Sequence, residues 1–154
     1  MKRNKKFIEI LSEEIYDELK NIEELKKELK EIPENPVFSN RAKGSIFHDF
    51  YNCCERIFKK ITTEIDGYFP ASPSWHKELL YRMTKKVNKL RPKVISEELA
   101  SELDDYLSFR HIFRNIYGFE LKGERIKRLE EKFYKVANTF QKEIKNFLKK
   151  LSGK

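Results

Sequence analysis

Cysteine is scarce in this chain: there are two, Cys53 and Cys54, side by side. They have neither the spacing of zinc ligands nor further cysteines to complete a site, so they read as buried thiols packing as small hydrophobes. Glycine and proline are nearly as rare, five of each in 154 residues, which makes long helices the default. No glycine-rich phosphate loop, strand alternation, internal repeat or paired Cys/His metal signature occurs. No apolar run approaches the roughly 20 residues of a membrane span. The basic start Met1-Lys2-Arg3-Asn4-Lys5-Lys6 leads into alternating charges rather than a signal-peptide apolar segment. The expectation is a cytoplasmic protein outside the membrane, with no metal and no cofactor.

Charge of both signs is abundant. Charged residues make up 38% of the chain and hydrophobic ones 39%, enough for one domain, 1–154, with a real core. The formal net charge of +8 favours an anionic partner such as nucleic acid, a nucleotide or an acidic protein. The interspersed Lys and Glu also fit plain solvated helix faces, as in thermophiles.

Ile8, Leu11, Ile15, Leu19, Ile22, Leu25, Leu29 and Ile32 recur every three or four residues, which predicts an amphipathic helix over 5–31, stopped by Pro33 and Pro36. A second helix, capped by Ser39 or Asn40, runs to about Asp66 and is closed by Gly67. Its inward face holds Ile46, Phe50, Cys53, Cys54, Ile57, Phe58, Ile61 and Ile65. His48, near its start, reads as a surface or core-edge histidine. The loop 67–74 is rich in turn residues and aromatics. Ser74 caps a short helix from Trp75 to about Val87. Tyr68 and Trp75 have the shape to stack on a base, but the commoner role is stapling a loop to a bundle, and His76 takes the same plain reading. Arg91-Pro92-Lys93 ends a basic connector that either meets phosphate or is simply solvated. Ser96 caps a fourth helix that ends at a left-handed Gly118, and Gly123 precedes a last helix from Glu124 to Leu151. The sum is an all-α, up-and-down bundle of four long helices plus a short one.

The fourth helix holds the densest chemistry, Tyr106 to Phe119. At about 100° per residue, Leu99, Leu103, Tyr106, Phe109, Phe113, Ile116 and Tyr117 share an apolar side. Asp104, Ser108, His111 and Asn115 form a polar stripe. Arg110 falls among the apolar residues, with Arg114 one turn on. A guanidinium placed there must be paired or face a cleft, because an unpaired charge is not buried cheaply.

Arg110-His111-Ile112-Phe113-Arg114-Asn115-Ile116-Tyr117 resembles the Arg-x4-6-His motif of the HEPN superfamily, and within it the HepT-like toxins. Arg110 matches the motif Arg, His111 the polar residue after it, and Tyr117 the Tyr two places beyond the motif His. Asn115 stands where the family has that His, so the motif is the variant Arg-His-x-x-Arg-Asn-x-Tyr. The resemblance covers most of the chain. It implies a homodimer with two motif helices facing across a cleft, metal-independent cleavage of RNA, and a minimal nucleotidyltransferase antitoxin as partner. It also implies Tyr117 as the residue such an enzyme would modify with AMP.

Metal-independent RNA cleavage needs a base for the 2′-OH, an acid for the leaving oxygen and donors for the phosphorane charge. Arg110 and Arg114 suit the last task, since guanidinium is permanently charged and grips phosphate oxygens in pairs. His111 has the side chain for proton transfer near neutrality. Asn115 and Tyr117 are expected to position substrate. The alternative is a catalytically silent helical module that binds a nucleotide or a nucleotidyltransferase. The Asn115 replacement favours it, and the surviving Arg/His/Tyr set favours activity.

Overall fold

The computed structural model describes residues 4–35 and 38–153. Met1, Lys2, Arg3 and Pro36, on which expectations rested, lie outside them. The described residues form five α-helices: α1 (Lys5–Glu31), α2 (Ser39–Ile61), α3 (Trp75–Arg82), α4 (Glu97–Asn115) and α5 (Gly123–Leu151). Among the described residues there is no strand, only an isolated bridge between Val87 and Arg91. The all-α helical bundle expected from the sequence is what the chain builds.

α1 follows its stripe. Leu11, Ile15, Leu19, Ile22, Leu25 and Leu29 are buried, while Asn4 Oδ1 accepts from the Lys6 N–H at 2.7 Å and caps the first turn. α2 differs from expectation in being buried on more than one face. It packs against α1, α3, α4 and α5, so Phe47, Tyr51 and Glu55 go inside together with the expected stripe. The Phe47 ring meets Tyr106, Phe109 and Phe133, and Phe50 meets Tyr106, Phe133 and Phe140, mostly edge to face. Tyr106 buries its ring and donates its hydroxyl proton to the Leu129 carbonyl at 2.7 Å, which ties α4 to α5.

Several ends depart from the sequence reading. Ser39 and Asn40 lie inside α2 rather than capping it; Phe38 occupies the cap position without a side-chain bond, and Asn35 Oδ1 accepts from the Phe38 N–H at 3.4 Å. α2 ends in a π-helical turn, Thr62–Asp66, closed as expected by Gly67 at φ 68°. α3 stops at Arg82, short of Val87: the Met83 carbonyl accepts from the Val94 and Ile95 N–H groups and the Lys85 carbonyl from Arg91 Nη1 at 2.8 Å. Arg91 donates to Asp66 Oδ1 at 2.7 Å and Oδ2 at 3.0 Å, and Arg82 donates to Oδ2 at 2.9 Å. The Arg91 and Asp66 side chains are fully buried, so this arginine clamps the connector and does not meet phosphate. Ser96 caps α4 through Leu99 N–H at 3.1 Å, as expected.

α4 ends at Asn115, one turn before Gly118. Ile116 and Tyr117 are extended, not helical, and Tyr117 is 71% exposed rather than on the apolar side. Gly118 is not left-handed; it opens a short turn, Gly118–Glu120, beside the Arg41 guanidinium. The exposed Arg41 side chain lies close over this glycine, which is not a left-handed helix stop.

Cys53 and Cys54 are free and buried, as expected. Burial, with a smaller push from Glu18, raises the Cys53 thiol from 9.0 to about 12. Burial likewise raises Cys54 and Tyr51. The folded chain therefore keeps these protons at pH values where the unfolded chain loses them. Their share of stability is complete below about pH 9 and is lost as pH rises above it. In urea titrations, Cys53→Ala should flatten that alkaline decline by up to about 1.4 kcal/mol per pH unit. An unaltered slope would mean that the thiol ionises within the fold.

Candidate functional site

Three helices bring polar side chains into one connected chain. His48, Asn52 and Glu55 are spaced i, i+4, i+7 and share one stripe of α2. Arg110 and Arg114, one turn apart, meet them from α4. Trp75 and His76 complete the set from the start of α3.

Glu55 and Arg110 form the buried centre, 5% and 3% exposed. Arg110 Nη1 donates to Glu55 Oε1 at 3.1 Å and Nη2 to Oε2 at 3.0 Å, the two-pronged geometry that suits a planar guanidinium. Nη1 also donates to Asn52 Oδ1 at 2.9 Å, and the Tyr51 ring lies 4.9 Å from the guanidinium carbon. Arg114 is different: it is exposed, donates Nε–H to His48 Nε2 at 3.0 Å, and reaches Asn52 Oδ1 at 3.3 Å. His48 must accept that bond, so its ring proton sits on Nδ1, 3.2 Å from Asp49 Oδ1. One guanidinium is sealed by a carboxylate; the other meets none among the described residues.

A groove of about 410 Å³ opens beside this network, between the start of α3 and α4. His76, Lys77, Arg110, His111, Arg114 and Ser108 are among its walls. His111 is exposed, and its ring makes no hydrogen bond with another described residue. Lys77 sits 3.4 Å from Asp104 Oδ2, which also accepts from the Tyr81 hydroxyl. Asn115 does not reach the His111 ring. It donates Nδ2–H to the His111 carbonyl at 2.6 Å, closing the last turn of α4. Tyr117 stands apart from the groove walls and stacks on Phe119, with ring centroids 5.4 Å apart. The structure thus gathers Arg110, His111 and Arg114 at one groove and sends Asn115 and Tyr117 to the helix end. No group of three or more His, Cys, Asp or Glu among the described residues is placed to hold a metal ion.

Sequence reasoning passed over Glu55 and Asn52 and gave His48 and His76 only plain readings. The i, i+4, i+7 polar stripe in an otherwise apolar helix was the available signal. Trp75 acts as the expected staple: it stacks on His76, tilts against Phe69 and takes the Lys59 ammonium 4.7 Å above its ring.

Fold and site together define a class, a helical bundle whose buried Arg–Glu pair backs a cationic groove. The family model described as HepT-like protein matches residues 42–151, from the first turns of α2 to the end of α5. The chain belongs to the HepT-like family of HEPN-type toxin modules. Comparison with curated proteins and with solved structures gives no match. No helix among the described residues is long and apolar enough to cross a membrane.

Removing one partner of the central pair strands a buried charge. Glu55→Ala should cost about 3–5 kcal/mol in urea unfolding, whereas the double variant Glu55→Leu, Arg110→Met should recover most of that loss. A double variant no more stable than Glu55→Ala alone would show that the pair is not held together by mutual charge compensation.

Proposed function

We propose that this chain is the HepT-like component of a toxin–antitoxin pair and that its groove cleaves RNA without a metal ion. The observation that carries the reading is the groove itself, in a chain of this family: an exposed imidazole, His111, beside an arginine, Arg114, that no carboxylate among the described residues neutralises. Arg114 holds phosphate oxygens, and His111 transfers a proton. Arg110 acts from the wall, spending its charge on Glu55 while fixing Asn52 beside Arg114. Asn115 keeps the His111 turn closed. The functional unit is a homodimer, and its antitoxin is a minimal nucleotidyltransferase.

Specific observations favour a second reading, a catalytically silent module that binds the nucleotidyltransferase. Asn115 fills the family His position, and the Arg110 charge is cancelled within the fold. Incubation with structured and unstructured RNA in EDTA separates the two. The active reading expects cleavage by the wild type that falls about 100-fold or more in His111→Ala and also falls in Arg114→Ala. Absence of cleavage by the wild type supports the silent module, and cleavage surviving both substitutions points to contamination.

The exposed hydroxyl of Tyr117 suits modification by the partner enzyme. Co-expression with a nucleotidyltransferase encoded beside this chain should place an AMP adduct on the Tyr117 peptide in mass spectra and none in Tyr117→Phe. An adduct that persists in that variant would assign the modification to another residue.

A further inference from the structure

We propose that His76 is a second proton-transfer residue, held by Glu55, and that it works with His111 on the ribose 2′-hydroxyl and the phosphodiester of an RNA strand. The inference rests on the reading of the groove as a ribonuclease site and adds a residue outside the motif.

His76 Nδ1 lies 2.8 Å from Glu55 Oε2 and 3.0 Å from Arg110 Nη2. Both groups cannot be served by one lone pair. A bare nitrogen facing a carboxylate oxygen at 2.8 Å would be repulsive, and Arg110 Nη2 already donates to that same oxygen at 3.0 Å. The proton therefore sits on Nδ1 and is donated to Glu55. In the neutral ring Nε2 then carries the lone pair. That nitrogen has no hydrogen-bond partner among the described residues. The ring is fixed in plane by stacking on Trp75, with centroids 3.5 Å apart, and its side chain, 36% exposed, lines the groove together with His111. A carboxylate that fixes the tautomer of an imidazole, whose free nitrogen faces substrate, is the arrangement a general base requires.

The step balances as follows. His76 Nε2 takes the 2′-OH proton, and the 2′-oxygen bonds to phosphorus. The bond from phosphorus to the 5′-oxygen breaks, and His111, as imidazolium, gives its proton to that oxygen. The products are a 2′,3′-cyclic phosphate and a 5′-hydroxyl. Arg114 donates to the non-bridging oxygens throughout. Glu55 is a positioning residue: it touches His76, not the RNA.

The test uses the full chain with a labelled mixed-sequence RNA transcript and its all-2′-deoxy counterpart, in EDTA. The charged groups around His76 are Glu55 on α2, Lys77 on α3, and Asp104, Arg110, His111 and Arg114 on α4, and all are retained in the His76 variant. The wild type should cut only the ribose strand and leave cyclic phosphate ends. His76→Ala should lower kcat about 100- to 10,000-fold with KM little changed. It should lose the acidic limb of the pH–rate profile, and added imidazole should restore part of the rate. His111→Ala should instead lose the alkaline limb. Circular dichroism of His76→Ala should match the wild type, since the side chain is partly exposed. Full activity in His76→Ala, or a loss confined to KM, overturns the role of His76 while leaving the ribonuclease reading intact. An inert wild type overturns both.

Discussion

The Glu55–Arg110 pair is the constraint on which the site depends. A guanidinium 3% exposed and a carboxylate 5% exposed have each lost most of their water. Neither is tolerable alone, and together they fix the register of α2 against α4, because the two-pronged bond is made only when both helices present those turns to each other. The buried Tyr51 ring, 4.9 Å from the guanidinium carbon, covers one side of the pair. Such a pair adds little net stability over apolar residues of the same size. Its gain is in specificity: Asn52, His76 and, through Asn52, Arg114 are all oriented by it.

Much of the fold is legible in the sequence because it follows from local periodicity. The α1 stripe, the Ser96 cap and the Gly67 stop are decided within a few residues of themselves. The awkward placement of Arg110 was also legible, since helical geometry alone puts it among Leu99 and Leu103. What it pairs with was not. Glu55 lies 55 positions away in the chain, and a helical wheel has no term for a partner on another helix. The same limit hid the burial of Phe47 and Tyr51. Periodicity assumes one narrow buried face, whereas α2 packs against four other helices. Arg91 shows the reverse error. Its basic neighbours suggested phosphate, yet Asp66, 25 positions back, takes its charge entirely inside the fold.

The end of α4 was misread for a different reason. Apolar spacing continues through Ile116 and Tyr117, so periodicity extends the helix. Side-chain bonds end it sooner: Asn115 occupies the His111 carbonyl, and Glu120 takes the Tyr117 N–H at 2.8 Å. Asn115 therefore has a structural task that a histidine at the same place need not perform. The motif position and the proton-transfer position need not coincide in this chain, because His111, four residues back, already faces the groove.

Two arginines one helical turn apart do opposite work, and charge accounting explains why both are needed. Arg110 is cancelled by Glu55, and Lys77 is paired with Asp104, so before the histidines are counted the groove carries only the charge of Arg114. One exposed cation in water attracts a phosphate weakly, about 1 kcal/mol at 4 Å. Strong capture would therefore need protonated imidazole as well, or cations outside the groove. The chain has the latter in quantity: its +8 charge is spread over the surface, with Arg125 and Arg128 lining a separate hollow beside α5. Long-range attraction of a polyanion is then the business of the whole surface, and falls with salt. The groove selects by geometry instead, through side chains held in place by a buried pair whose own charge no substrate sees.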